Sequence, residues 1–129
     1  MSEATPKTTH VALVGHCGFD SGPLKAFVKR TLPDAEVSRV NDRKSLDDLT
    51  HGGALLLVNR VLDGGFATEM GVELIGDLAK ADDPPRMLLI SNYEDAQAAA
   101  EDAGARPGFG KGDLGTDAAA ARLRDAAVG

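Results

Sequence analysis

Tryptophan is absent from this chain, and tyrosine and cysteine each occur once in 129 residues. The single cysteine, Cys17, excludes an intrachain disulfide and suits a reducing compartment. No apolar run nears the ~20 residues that a membrane span requires. The opening stretch, Met1–Thr9, has no signal-peptide core. Cytoplasm is the expected location, with no membrane partner. Basic residues are also in short supply: 14 Lys and Arg stand against 20 Asp and Glu, a net charge of −6. That field repels phosphate backbones, so nucleic acid is not the expected partner.

What is present is enough for a core. The hydrophobic share is 43% and the charged share 26%, close to globular averages, which excludes disorder as the default. Residues 1–8 read as a flexible tail and 9–129 as one domain. Apolar runs alternate with helical patterns along it, the signature of a parallel sheet covered by helices.

The first strand is expected at His10–Val14, followed by a loop over Gly15–Gly22. Pro23 suits the first turn of a helix, with Leu24, Phe27, Val28 and Leu32 as one apolar stripe and Pro33 as its stop. Asp20 or Ser21 is the expected cap. A second strand falls at Ala35–Val40 and a short helix at Asp42–Thr50, closed by Gly52 and Gly53. Ala54–Val58 has no polar alternation and reads as a strand buried on both faces. A glycine-bearing loop, Asn59–Gly71, leads to a helix whose apolar positions are Val72, Leu74, Ile75 and Leu78. Met87–Ile90 is the next buried strand, Glu94–Ala103 an alanine-rich helix, Gly108–Lys111 a short last strand, and Thr116–Val128 the final helix.

Five strand–helix units close as an α/β, doubly wound, flavodoxin-like parallel sheet with strand order 2-1-3-4-5. Such sheets place their chemistry at the carboxyl ends of the strands. The residues expected there are Gly15, His16, Cys17, Asn59, Arg60, Ser91 and Lys111.

Several segments resemble the receiver domain of two-component response regulators. "ALLLVN" (54–59) is similar to the strand that ends in the phospho-accepting aspartate. "GVELIGDL" (71–78) resembles the start of the following helix. "MLLIS" ends in Ser91, where the family keeps Ser or Thr, "AAAEDAGA" (98–105) resembles the Ala-Gly-Ala turn, and Lys111 matches the lysine after strand five. The resemblance implies a signalling module rather than an enzyme, working through a protein partner. It also implies a homodimer through helix 4, strand 5 and helix 5.

Departures from the family fall on its chemistry. The acidic pair that ends strand one is replaced by Gly15 and His16, and the phospho-acceptor position is Asn59. An amide is a poor nucleophile, and Mg²⁺ wants carboxylates and waters. No metal or other cofactor is therefore expected, and Asn59 marks a degenerate phospho-acceptor. Asp63 and Asp20 are the carboxylates that could restore the chemistry or pair with Lys111, although Asp63-Gly64 is also an ordinary turn pair. Ser91 has Asn59 as a candidate hydrogen-bond partner. Arg60 is a candidate fork for an anion.

A separate reading starts from His16-Cys17. A cysteine in the first βα loop sits near a helix N-terminus, which favours a thiolate, so a small redox sensor or enzyme is the alternative function. Zinc would need His10, His16, His51 and Cys17 to converge, yet His10 and His51 belong to the opposite end of the strands from His16. The Gly108–Gly112 segment lacks the spacing of a phosphate loop.

Overall fold

The computed structural model describes residues 10–50, 53–66 and 68–128. The expected tail 1–8, the first and last residues of the expected domain, His51 and the closing Gly52 lie outside these.

Five strands and five helices alternate: β1 (His10–Val14), α1 (Gly18–Thr31), β2 (Glu36–Val40), α2 (Arg43–Thr50), β3 (Leu55–Asn59), α3 (Gly71–Leu78), β4 (Arg86–Ile90), α4 (Glu94–Ala103), β5 (Arg106–Phe109) and α5 (Asp117–Val128), with a single 3₁₀ turn at Lys111–Asp113. All strand pairs are parallel and the order is β2-β1-β3-β4-β5, as the strand count required.

The period of two in each strand divides the core into two layers. Val11, Leu13, Leu55, Leu57, Leu88 and Ile90 point to the face covered by α1 and α5, where Phe27 meets Phe109 edge to face at 5.4 Å. Ala12, Val14, Leu56, Val58, Met87 and Leu89 point to the face covered by α2, α3 and α4. Leu55 to Val58 are fully buried, because the central strand has a helix layer on each side.

Strands β2, β3 and β4 and helix α2 are shifted from expectation by a single residue; the differences at α1, β5 and α5 have a local cause. Helix α1 starts at Gly18, five residues before Pro23, and its cap is Cys17, not Asp20 or Ser21. Pro23 therefore lies inside the helix, where it lacks only the N–H that would reach the Phe19 carbonyl, near the exposed first turn. Strand β5 begins at Arg106 and includes Pro107; an edge strand tolerates proline because half of its N–H groups face away from the sheet. Helix α5 starts at Asp117, with the Thr116 hydroxyl accepting from Ala119 N–H at 3.2 Å as its cap.

Candidate functional site

The carboxyl ends of β1, β3, β4 and β5 open on one side of the sheet, and the loops that follow them form a cleft. Its β1 side is filled by the chain itself. Gly15 has φ +74°, a conformation that favours glycine. A Cβ there would stand 2.6 Å from Leu62 Cδ2, so the position is closed to larger residues twice over.

Leu62 arrives from the long β3–α3 loop. That loop folds on itself through an antiparallel bridge between Val61 and Met70 and a bond from Leu62 N–H to the Glu69 carbonyl at 2.8 Å. Its tip is fastened over β1 and β2. Asp63 N–H donates to the Gly15 carbonyl at 2.9 Å and Gly65 N–H to the Asn41 carbonyl at 2.8 Å. The Asn41 side-chain amide donates to the Asp63 and His16 carbonyls at 2.7 and 3.0 Å.

His16 is fully buried beside this plug. Its Nε2 lies 2.9 Å from the Leu57 carbonyl, which can only accept, so the ring carries its hydrogen on Nε2. Nδ1 has no hydrogen-bond partner among the described residues. Burial lowers the imidazole pKa from 6.5 to about 4, with Lys111 and Arg39 pushing the same way and the Leu57 bond and Asp20 opposing. The ring is therefore neutral near pH 7.

Cys17 is partly buried, and its sulfur accepts from Asp20 N–H at 3.4 Å as the α1 cap. Asp20 in turn reaches across the cleft mouth to Lys111, Oδ2 to Nζ 2.7 Å. The hydrogen bond from Lys111 is the main cause holding the Asp20 carboxyl below its usual pKa. Of the two carboxylates considered for Lys111, Asp20 is its partner. Asp63 is exposed and is held here through its backbone.

Asn59 ends β3. Its amide nitrogen donates to the Gly15 carbonyl at 3.1 Å and to the Val61 carbonyl at 2.8 Å. Only a donor serves there, which suits an amide and not a carboxylate. Asn59 was one candidate partner for Ser91, and that bond is not formed. Ser91 Oγ accepts from Tyr93 N–H at 3.1 Å instead.

The β4–β5 side of the cleft is open. A cavity of about 210 Å³ is lined by Asn59, Arg60, Val61, Ile90, Ser91, Asn92, Tyr93 and Lys111. The Arg60 guanidinium lies 4.6 Å from the centre of the Tyr93 ring, a cation–π distance. The fold thus brings Asn59, Arg60, Ser91 and Lys111 together, and sets Gly15, His16 and Asp63 in the filled half. His10 lies at the far end of β1, paired with Ser38 Oγ at 2.8 Å. Among the described residues no cluster of three or more His, Cys, Asp or Glu is placed to hold a metal ion, and no helix is long and apolar enough to cross a membrane.

Sequence reasoning missed Leu62, Asn41, Asn92 and Gln97. Gln97 Nε2 donates to the Leu89 and Ser91 carbonyls at 2.9 and 3.0 Å and ties α4 to the strand ends. Leu62 carried little signal, since Val61, Phe66 and Met70 share its loop, and the amides of Asn41, Asn92 and Gln97 have no local pattern that marks them.

No family model and no curated protein matches this sequence. Solved structures do match its fold. The non-phosphorylated receiver domain of the stress response regulator RcsB from Escherichia coli aligns with a TM-score of 0.70 at 15% identity, over 92% of this chain and 95% of that one. The signal receiver domain of a DNA-binding response regulator from Colwellia psychrerythraea 34H aligns with 0.67 at 13% identity, over 92% and 97%. A response-regulator receiver domain from Rhodospirillum rubrum aligns with 0.61 at 12% identity, over 91% and 89%. With sequence likeness this low and near-complete mutual coverage, what is shared is architecture: the chain has the fold of the response-regulator receiver domains.

Proposed function

We propose that this protein is a receiver-like signalling module that acts through contact with a protein partner, without aspartyl phosphorylation. The observation that carries the reading is the end of β3. Asn59 is held as a double hydrogen-bond donor to Gly15 and Val61, where the receiver family places a nucleophilic carboxylate. Two further features support it. A neutral, buried His16 and the side chain of Leu62 occupy the side of the cleft where the family gathers Mg²⁺. Lys111 is neutralised by Asp20 rather than left for a phosphoryl group.

The reading extends to a homodimer through α4, β5 and α5, where Ala98, Ala118 and Ala121 leave small exposed faces that permit close helix approach. Location in the cytoplasm and the lack of nucleic-acid partners belong to the same proposal, on the cysteine and charge arguments above.

The test is incubation of the full chain with acetyl phosphate and Mg²⁺, followed by intact-mass measurement. An unchanged mass is expected. A gain of one phosphoryl group overturns the reading, and its loss in Asp63→Ala or Asp20→Ala would name the acceptor.

A further inference from the structure

Two concave surfaces meet at one pair of side chains. The first is the cationic cavity at the strand ends, which carries Arg60 and Lys111 and has no carboxylate in its lining. The second is a trough of about 620 Å³ beside α3 and α4, floored by Met70, Val72, Ala96 and Ala99 and edged by Glu73 and Asp95. Arg60 and Tyr93 line both. In a chain of net charge −6, Arg60 and Lys111 are the charged side chains lining this cavity, and Lys111 is already held by Asp20 at 2.7 Å, which leaves Arg60 as the cation open to an added anion. Arg60 has no carboxylate partner among the described residues. Its planar fork lies against an aromatic face, an arrangement that leaves its N–H edge free to grip a carboxylate with two bonds.

We propose that these joined surfaces bind a small amphipathic monoanion, its carboxylate held by Arg60 and Lys111 and its apolar stem lying along the trough over Val72, Ala96 and Ala99. Tyr93 forms the wall shared by head and stem; it is 58% exposed, so a stem laid against it covers an open apolar ring. Glu73 and Asp95 select against a second negative charge on the stem. Ser91 Oγ already accepts from Tyr93 N–H, which keeps its own hydrogen available to the head. Asp20 competes for Lys111. The proposal rests on the reading of the cleft as unphosphorylated, since a phosphoryl group at the strand ends would occupy the first cavity.

The protein carries its own reporter. Tyr93 is its only tyrosine and there is no tryptophan, so intrinsic fluorescence reads this site alone. The full chain is titrated with octanoate at fixed ionic strength, with acetate as a head-only control and octanol as a stem-only control. Calorimetry gives a second readout that does not depend on the surroundings of the ring. A saturable response to octanoate is expected, at least about tenfold tighter than to either control. Arg60→Gln is expected to weaken it about tenfold, and Asp20→Asn to tighten it by freeing Lys111. No saturable response in either readout overturns the proposal. So does octanoate affinity equal to that of the controls, or unchanged affinity in both Arg60→Gln and Lys111→Gln. The phosphorylation reading stands or falls on intact mass without octanoate, so either can fail without the other.

Discussion

The two halves of the strand-end cleft solve the same geometric problem differently. At the end of β1 the chain fills the space with its own atoms: Leu62 against Gly15, a neutral imidazole on the Leu57 carbonyl, and a loop tip fastened by backbone and Asn41 bonds. At the ends of β4 and β5 the space stays open, with two cations and several uncharged hydrogen-bonding groups around it. Burial governs the first half, so its residues are constrained by sterics and desolvation. Solvent and charge govern the second, so single changes there cost little stability and act on binding. The cleft is thus closed on one side by the chain's own atoms and open on the other.

That contrast can be broken by variants ranked by expected effect. Gly15→Val forces a branched side chain into φ +74° and onto Leu62; a loss of about 3 kcal/mol or more is expected in urea unfolding. Adding Leu62→Ala removes the Cδ2 contact but leaves the Leu62 Cα at 3.1 Å and the backbone strain, so it should return only part of that loss. Full tolerance of Gly15→Val would show that the plug is loose.

Next in size is a pH effect. The unfolded His16 imidazole takes up a proton near pH 6.5 and the folded one only near 4. Between those values the unfolded state binds more protons, so stability must fall as pH drops through this window, by up to about 3 kcal/mol. His16→Gln should flatten the difference, because a neutral amide can keep the bond to Leu57 without titrating. A wild-type and variant pair with parallel stability–pH curves would place the ring in solvent rather than in the plug.

Asn59→Asp exchanges a double donor for an acceptor facing the Gly15 and Val61 carbonyls. It should cost about 1–2 kcal/mol and, with the β1 side filled, should still gain no mass from acetyl phosphate and Mg²⁺. A phosphoryl gain in this variant would show that the filled half admits a metal ion after all. The smallest effect belongs to the half-exposed pair across the mouth. Asp20→Asn should change stability by less than about 1 kcal/mol at low salt, and the difference should fade in 1 M salt.

Much of the scaffold was legible in the chain. The unbroken apolar run 54–58 marked the central strand because burial on both faces removes alternation; that strand lies one residue on, at Leu55–Asn59, and the helix Glu94–Ala103 falls where the pattern puts it. The start of α1 was misread because Pro23 suggests a first turn, whereas the Cys17 cap begins the helix earlier. At the site, Asn59, Arg60, Ser91 and Lys111 were legible because strand ends follow from strand positions. Their partners were legible only as alternatives: Asp20 and Asp63 were both candidates for Lys111, and no local spacing decides between them, because Lys111 and Asp20 lie 91 residues apart.

Composition and periodicity by themselves determined a parallel five-stranded α/β sheet and which residues, Gly15, His16 and Asn59 among them, stand at its strand ends. Those are properties of residue type and local repeat, and they survive without knowing any long-range contact. Which side of the cleft is closed and which is open was decided only by tertiary structure. Closure depends on where a long loop lands, and that is set by the packing of Leu62 on Gly15 and by the bonds of Asp63 and Gly65 to the Gly15 and Asn41 carbonyls, many residues earlier in the chain.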